Sequence, residues 1–301
     1  VSAKQLEFSP KQVAKSLEVS ESSVKRWCDQ GAIPTIKTSG GHRRISLDAL
    51  HDFLESSSRS LIHPEALGFP TLPSKRMTKI PGKHHPVQAA FREALANGDE
   101  PRCANLIKQW QADGWSQSET ASDLVTDALH GIGAAWDCGE IDVYQERVAC
   151  GICLRLIQVL KSQLPAPATD APLAIGGTLS GDPYDVASAM VDLTLTEMGW
   201  NTLNLGANLP VESFIQASTD RSPILMWLSI SVIADESQFV ADQTRLANSV
   251  ADDISLIVGG RALNDTIRPK LRYTAHCDSI GHLAQLAGMI KNRFGGSDTS
   301  K

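Results

Sequence analysis

The chain of 301 residues is 42% hydrophobic and 21% charged, a balance that fits two or three packed domains and excludes a disordered or fibrous chain. No apolar run approaches the length of a bilayer span, and residues 1–20 lack the apolar stretch of a secretory leader, so a cytoplasmic protein is expected. The net charge of −6 is unevenly spread: residues 1–86 carry 13 Lys and Arg against 8 Asp and Glu, and the remainder 15 against 26. A basic front on an acidic body suits a protein whose N-terminal part meets phosphate and whose body is repelled by it.

Ser9, Pro10 and Gln12 write a helix start, with a capping hydroxyl, a first-turn proline and a capping-box glutamine. Val13, Ala14 and Leu17 supply the apolar face of this helix, which is expected to close at Val19. Ser20 caps a second helix through Val24 and Trp27 to Gly31, ended by Ile33-Pro34. Ile36 and Ile45 then flank a Ser-Gly-Gly turn, the pattern of a two-stranded wing. Ser46 caps a third helix with Leu47, Leu50, Phe53 and Leu54 inward.

Residues 57–87 are rich in Ser, Pro and positive charge without a lasting period, and read as a flexible linker. Over 88–165 helical spacing returns, with room for a four-helix bundle. Four short apolar runs, LAIGGT, NTLNLG, ILMWLSIS and ISLIVGG, then alternate with amphipathic helices over 172–295, the last from Leu283 to Ile290. Strands buried on both faces and separated by helices predict a Rossmann-like, doubly wound parallel sheet. The expected class is thus α plus α/β multidomain: a winged helix-turn-helix over 1–56, the linker, the bundle and the sheet domain.

The six cysteines are scattered, and the chain is too large to need disulfide staples. Cys150 and Cys153 form a CxxC within a helical pattern, where the pair packs one face rather than doing redox chemistry. His130, His276 and His282 stand isolated in sequence and are expected to be structural. No Ser/His/Asp or Cys/His constellation, metal spacing or phosphate loop points to catalysis, so no enzyme is expected.

The order helix, turn, helix, basic wing, helix over residues 8–55 resembles the MerR-type winged helix. That resemblance implies that the second helix enters the major groove and that the wing tracks the DNA backbone. The DNA-binding residues would be Ser22, Ser23, Lys25 and Arg26 on the helix, with Lys37, His42, Arg43 and Arg44 on the wing. Arg and Lys neutralise phosphates, Arg also reads guanine edges, and hydroxyls at a helix start fix register.

Residues 88–295 resemble the cobalamin-binding, light-responsive regulators of the CarH/LitR type and, more broadly, corrinoid modules of methyltransferases. The likeness lies in WDCGEIDVYQER with Trp136, Glu140, Val143 and Glu146, in NLGANLP, in LSIS with Ser229 and Ser231, and in Gly259-Gly260. The glycines would let a cofactor tail approach the sheet edge. The chain departs from the pattern at two points. Where the family carries D/E-x-H-x-x-G, whose histidine ligates cobalt, the loop reads Asp182-Pro183-Tyr184-Asp185-Val186-Ala187. Where CarH-like sensors carry Glu-His, this chain has Glu146-Arg147, and a guanidinium cannot bind cobalt.

Two readings of the body follow. Either the cofactor has been lost, with Tyr184 closing the old entrance, or the cavity holds something else, including cobalamin bound without a protein histidine. Tyr184 as an iron phenolate, as in some haem proteins, is disfavoured unless a helper cation stands by. The expected whole is a regulator, a repressor, that binds operator DNA as a dimer or tetramer joined through its C-terminal module, with no membrane partner. The alternatives are a cobalamin- or tetrapyrrole-binding photoreceptor regulator, a corrinoid methyl-transfer carrier, and an antirepressor acting through the DNA-reading unit.

Overall fold

The computed structural model describes residues 7–38, 40–57, 64–67 and 86–295. At the front, α1 (Pro10–Ser16) and α2 (Glu21–Asp29) form a helix-turn-helix. The Ser9 side chain accepts from the Gln12 amide, and the Gln12 side chain accepts from the Ser9 amide, so the capping box forms as the residues dictate. The first helix ends earlier than expected, at Ser16, because Glu18 turns the chain with φ at +54°. Val13, Leu17, Val24, Ile33 and Ile45 are fully buried beneath the two helices. The wing is a hairpin of β2 (Ile36–Lys37) and β3 (Arg43–Ser46), and α3 (Leu47–Ser56) follows directly.

A strand that the periodicity does not show, β1 (Glu7–Phe8), pairs antiparallel with β3 and buries Phe8. Within the segment read as linker, Pro64–Leu67 forms a 3-10 turn whose Leu67 is buried against the α1 side of this core. The rest of that segment, 58–63 and 68–85, lies outside the described residues.

The bundle consists of α4 (Pro86–Ala96), α5 (Glu100–Ala112), α6 (Gln117–Thr120) continued through a π-helical stretch Ala121–Val125 into α7 (Thr126–Asp137), and α8 (Val143–Ser162). Its core joins Phe91, Leu95, Trp110, Leu124, Ile132 and Ile157. Cys103 and Cys153 sit fully buried in it, which pushes the Cys103 thiol up to about 11 and Cys153 higher still. All six cysteines are free thiols.

The body is a five-stranded parallel sheet of β4 (Leu173–Gly177), β5 (Asn201–Asn204), β6 (Leu225–Ser229), β7 (Ser255–Gly259) and β8 (Ala275–Cys277), ordered β5-β4-β6-β7-β8. The short β8, with a polar His276 between Ala and Cys, escapes the apolar-run pattern. The helices α9 (Val186–Glu197) and α12 (Ile280–Gly295) cover one face, and α10 (Val211–Arg221) and α11 (Glu236–Ser249) the other.

Two polar locks hold the bundle on the sheet domain. Lys161 of α8 donates to both oxygens of Asp192 on α9 at 2.7 Å, with Asp192 buried. The Glu197 carboxylate accepts from the Gln117 and Ser118 amides at 2.8 and 3.0 Å, meeting the free donors and positive end of the helix start at α6.

Under the sheet's C-terminal edge, the indole of Trp227 lies against Gly176 of the neighbouring strand. A methyl group on Gly176 would stand 2.1 Å from the Trp227 Cδ2 atom. Gly176→Ala is therefore expected to cost about 1–3 kcal/mol through overpacking. Urea denaturation checks this, and an unchanged midpoint would show that the indole is not confined there.

Candidate functional site

Two places gather the candidate residues. On the front unit, Ser22 and Ser23 stand in the first turn of α2, where the Ser20 hydroxyl lies 2.9 Å from each of theirs and also caps the Ser23 amide. Lys25 and Arg26 project from the exposed side of the same helix, and Lys25 pairs with Glu21 at 2.8 Å. Lys37 and His42 are exposed on the wing. Alternation along β3 separates the two arginines. Arg43 shares the inward side of buried Ile45 and pairs with Asp29 at the end of α2, 2.5 Å away, whereas Arg44 faces the opposite side. Trp27 stacks on Phe53 with centroids 4.9 Å apart, which ties α2 to α3.

The second place is a cavity of about 340 Å3 between the bundle and the C-terminal edge of the sheet. Open α/β sheets bind ligands at this edge, near the point where strand order reverses, here between β4 and β6. Of the sequence candidates, Trp136, Glu146, Tyr184, Ser229, Ser231, Gly259 and Gly260 line it. Val143, Arg147 and Asp182 stand outside the lining. Trp136 is 43% exposed at the rim and Val143 49% exposed on the outer surface.

The loop after β4 is held in place by its own polar bonds. Asp182 accepts from the Tyr184, Ser231 and Val232 amides, yet its burial pushes the carboxyl above its usual range. The NLGANLP segment braces the same loop: Asn208 accepts from the Gly181 amide at 2.8 Å and its own amide donates to Thr178. This places the Tyr184 ring beside two guanidinium groups, Arg147 at 4.8 Å and Arg261 at 5.5 Å from the ring centroid. Arg261 follows Gly260 directly, and its Nε donates to the Ser231 carbonyl at 3.1 Å.

The chain itself crowds both paired glycines. A methyl group on Gly259 would stand 2.7 Å from the Cys277 carbonyl oxygen, and one on Gly260 2.4 Å from that of Ile230. Backbone packing by itself already calls for glycine there, with φ at +125° for Gly260.

Several lining residues escape sequence reasoning. Arg261 and Trp227 are visible in their motifs but carry no spacing signal. His130 on α7 reaches the cavity although it stands alone in sequence. His276 is not isolated either: buried on β8, it lies 2.7 Å from Arg268, 3.5 Å from Asp278, and edge-on to the rings of Tyr273 and His282. Cys150 shares the cavity with Glu146, to which it donates, and burial with that carboxylate pushes its thiol up to about 12.

A cobalt corrinoid is the group this fold implies, and the side chains in its positions do not fit one held by histidine. Tyr184 stands in the loop after β4 where the resemblance would put a histidine, with two guanidinium groups over its ring, and Arg147, where it would put the second, stands outside the cavity lining. Trp227 fills the sheet face below the cavity, its Nε1 bonded to Ser188 at 2.9 Å. No group of three or more His, Cys, Asp or Glu among the described residues is arranged to hold a metal ion.

Fold and sites define a helix-turn-helix DNA-binding unit joined to a helical cap on a Rossmann-like domain. Residues 7–58 match the helix-turn-helix domain family and residues 87–161 the B12 binding domain family. The chain therefore carries a DNA-binding domain at its N-terminus and a cobalamin-binding-like module behind it. It is 20% identical over 146 residues to the dimethylamine corrinoid protein of Methanosarcina barkeri, covering 48% of this chain and 68% of that one. It is 18% identical over 176 residues to the trimethylamine corrinoid protein 1 of Methanosarcina acetivorans, covering 57% and 82%. In structure it is similar to the monomethylamine corrinoid protein of Methanosarcina barkeri, with a TM-score of 0.58, 19% identity, and coverage of 66% and 96%. Among the described residues no helix is long and apolar enough to cross a membrane.

Proposed function

We propose that the protein is a transcriptional regulator, acting as a repressor and without catalytic activity, whose MerR-type front unit binds operator DNA and whose body senses a signal without using cobalt. The four-part division at 1–56, 57–87, 88–165 and 172–295 belongs to this reading, as does assembly into a dimer or tetramer through the body. The observation that carries it is Tyr184, beside Arg147 and Arg261 in the loop where the corrinoid pattern would put its cobalt-binding histidine.

A route from cavity to DNA unit supports the regulatory part. Cys277 and Asp278 at the end of β8 line the cavity. Their neighbour His276 is bonded to Arg268, which also lies 3.8 Å from Asp52 on α3 of the DNA unit. Occupancy that shifts the end of β8 would move the contact holding α3.

A methyl-carrier reading draws on the names of the corrinoid relatives. It needs a cobalt ligand and gives the helix-turn-helix unit no task.

DNA fragments selected from a genomic pool by the full-length protein provide the test. Full-length protein is expected to bind them at least about a hundredfold more tightly than residues 1–80, because an oligomeric body raises the effective concentration of its readers. Equal affinity of fragment and intact chain would remove the body from operator binding.

A further inference from the structure

We infer that the cavity is a receptor site for a compact organic acid: a flat, mostly apolar molecule with one anionic group, seated at the seam between bundle and sheet and gripped by Arg261. The inference rests on the reading that the module works without cobalt, and it names what the site takes instead. Volume sets the size. About 340 Å3 lies at the small end of pockets for drug-sized ligands.

The walls set the chemistry. Leu129, Ile132, Met190, Trp227, Ile257 and Leu283 surround most of the space with apolar surface. Among the polar lining groups, Arg261 meets the Tyr184 ring and the Ser231 carbonyl, and Ser229 lines the same cavity. The acids lining the cavity are already engaged. Glu146 lies 3.5 Å from Arg147 and accepts from Cys150, and Asp278 faces His276.

Arg261 differs from these acids. Its Nε is used by the Ser231 carbonyl and its face by the Tyr184 ring, while no carboxylate pairs with it among the described residues. Its Nη1 atom reaches to within 3.9 Å of the position a methyl group would take on Gly133 of α7. The guanidinium thus stands at the boundary of the two modules, close to the Tyr184 ring. Such a fork matches a carboxylate, and a charge-assisted bond is stronger than a neutral one. An acid held there would touch sheet and bundle together and tighten the seam.

Two fluorescent dyes with nearly the same aromatic body test this on the full-length protein: 8-anilinonaphthalene-1-sulfonate, which carries an anion, and N-phenyl-1-naphthylamine, which does not. The expected result is one site per chain for the anionic dye, with affinity about tenfold above the neutral dye. Arg261→Gln should remove that advantage and leave the neutral dye within about twofold. Leu129→Trp, which fills the cavity, should displace both dyes. Ala187→Leu serves as a second filler if circular dichroism shows the first to be misfolded.

Equal affinity for the two dyes, or an Arg261→Gln protein that keeps the preference, would overturn the acid site. Fillers that spare both dyes would overturn the cavity as its location. Displacement of the dye by one equivalent of adenosylcobalamin would instead overturn the cobalt-free reading beneath it, and a His130→Ala variant would then show whether that imidazole holds the metal.

Discussion

Replacing both Lys25 and Arg26 with alanine is expected to lower affinity for selected DNA about a hundredfold and to erase its preference over random DNA. Two base-edge contacts at about 1–3 kcal/mol each supply that loss. Both side chains lie on the exposed side of α2, and the Lys25–Glu21 pair is exposed enough to be exchanged for a DNA contact at little cost. Arg44→Ala should act differently, weakening all sequences alike and flattening the salt dependence by about one unit of slope.

Arg43 separates two mechanisms. In its ion pair with Asp29 it ties the wing to the end of α2, so we expect Asp29→Ala to reproduce the loss expected of Arg43→Ala. If Arg43 instead met phosphate, removing Asp29 would free it and strengthen binding. A filter-binding titration of the three variants across salt concentration decides between these outcomes.

Trp227→Ala is expected to cost about 3–5 kcal/mol, the largest stability loss of any single substitution considered. The indole is 2% exposed, fills the space above Gly176 and donates to Ser188, which in turn bonds Asn204. Truncation removes apolar contact, leaves a cavity and unpairs a buried hydroxyl network at once. Chemical denaturation reads the loss; a cost below about 1 kcal/mol would mean that the sheet closes over the gap and that the indole is not a structural plug. The enlarged space should still not recruit a corrinoid, because Tyr184 remains where the imidazole would be.

Local rules made much of the fold legible. Ser9 with Gln12 and Ser20 before α2 wrote the caps that the structure forms, and four apolar runs announced four of the five parallel strands, of which the edge strand β5 is only half-buried. What stayed hidden depended on distant partners or short elements. Two residues of β1 exist only because β3 pairs with them, and β8 is three residues long with histidine at its centre. Leu67 could be placed in a core only through its packing on α1.

At the cavity, the motifs pointed to the loop with Tyr184 and to the paired glycines. They could not show that Arg147 and Arg261, more than a hundred residues apart, meet at one phenol ring. Nor could they show that Arg43 is engaged by Asp29 fourteen residues earlier. Neither pairing follows a helical or strand period, so only the tertiary fold brings them together.

The most direct test of a regulator that works without cobalt is assembly and operator binding with adenosylcobalamin, in darkness and under green light. A ligand shifts an equilibrium only by its differential affinity for the two states. With Tyr184 and Arg147 in place of both imidazoles, we expect identical elution in size-exclusion chromatography and identical gel shifts in all four conditions, with and without the cofactor. Stoichiometric uptake at micromolar concentration, with a light-dependent change in assembly or DNA binding, would contradict the account.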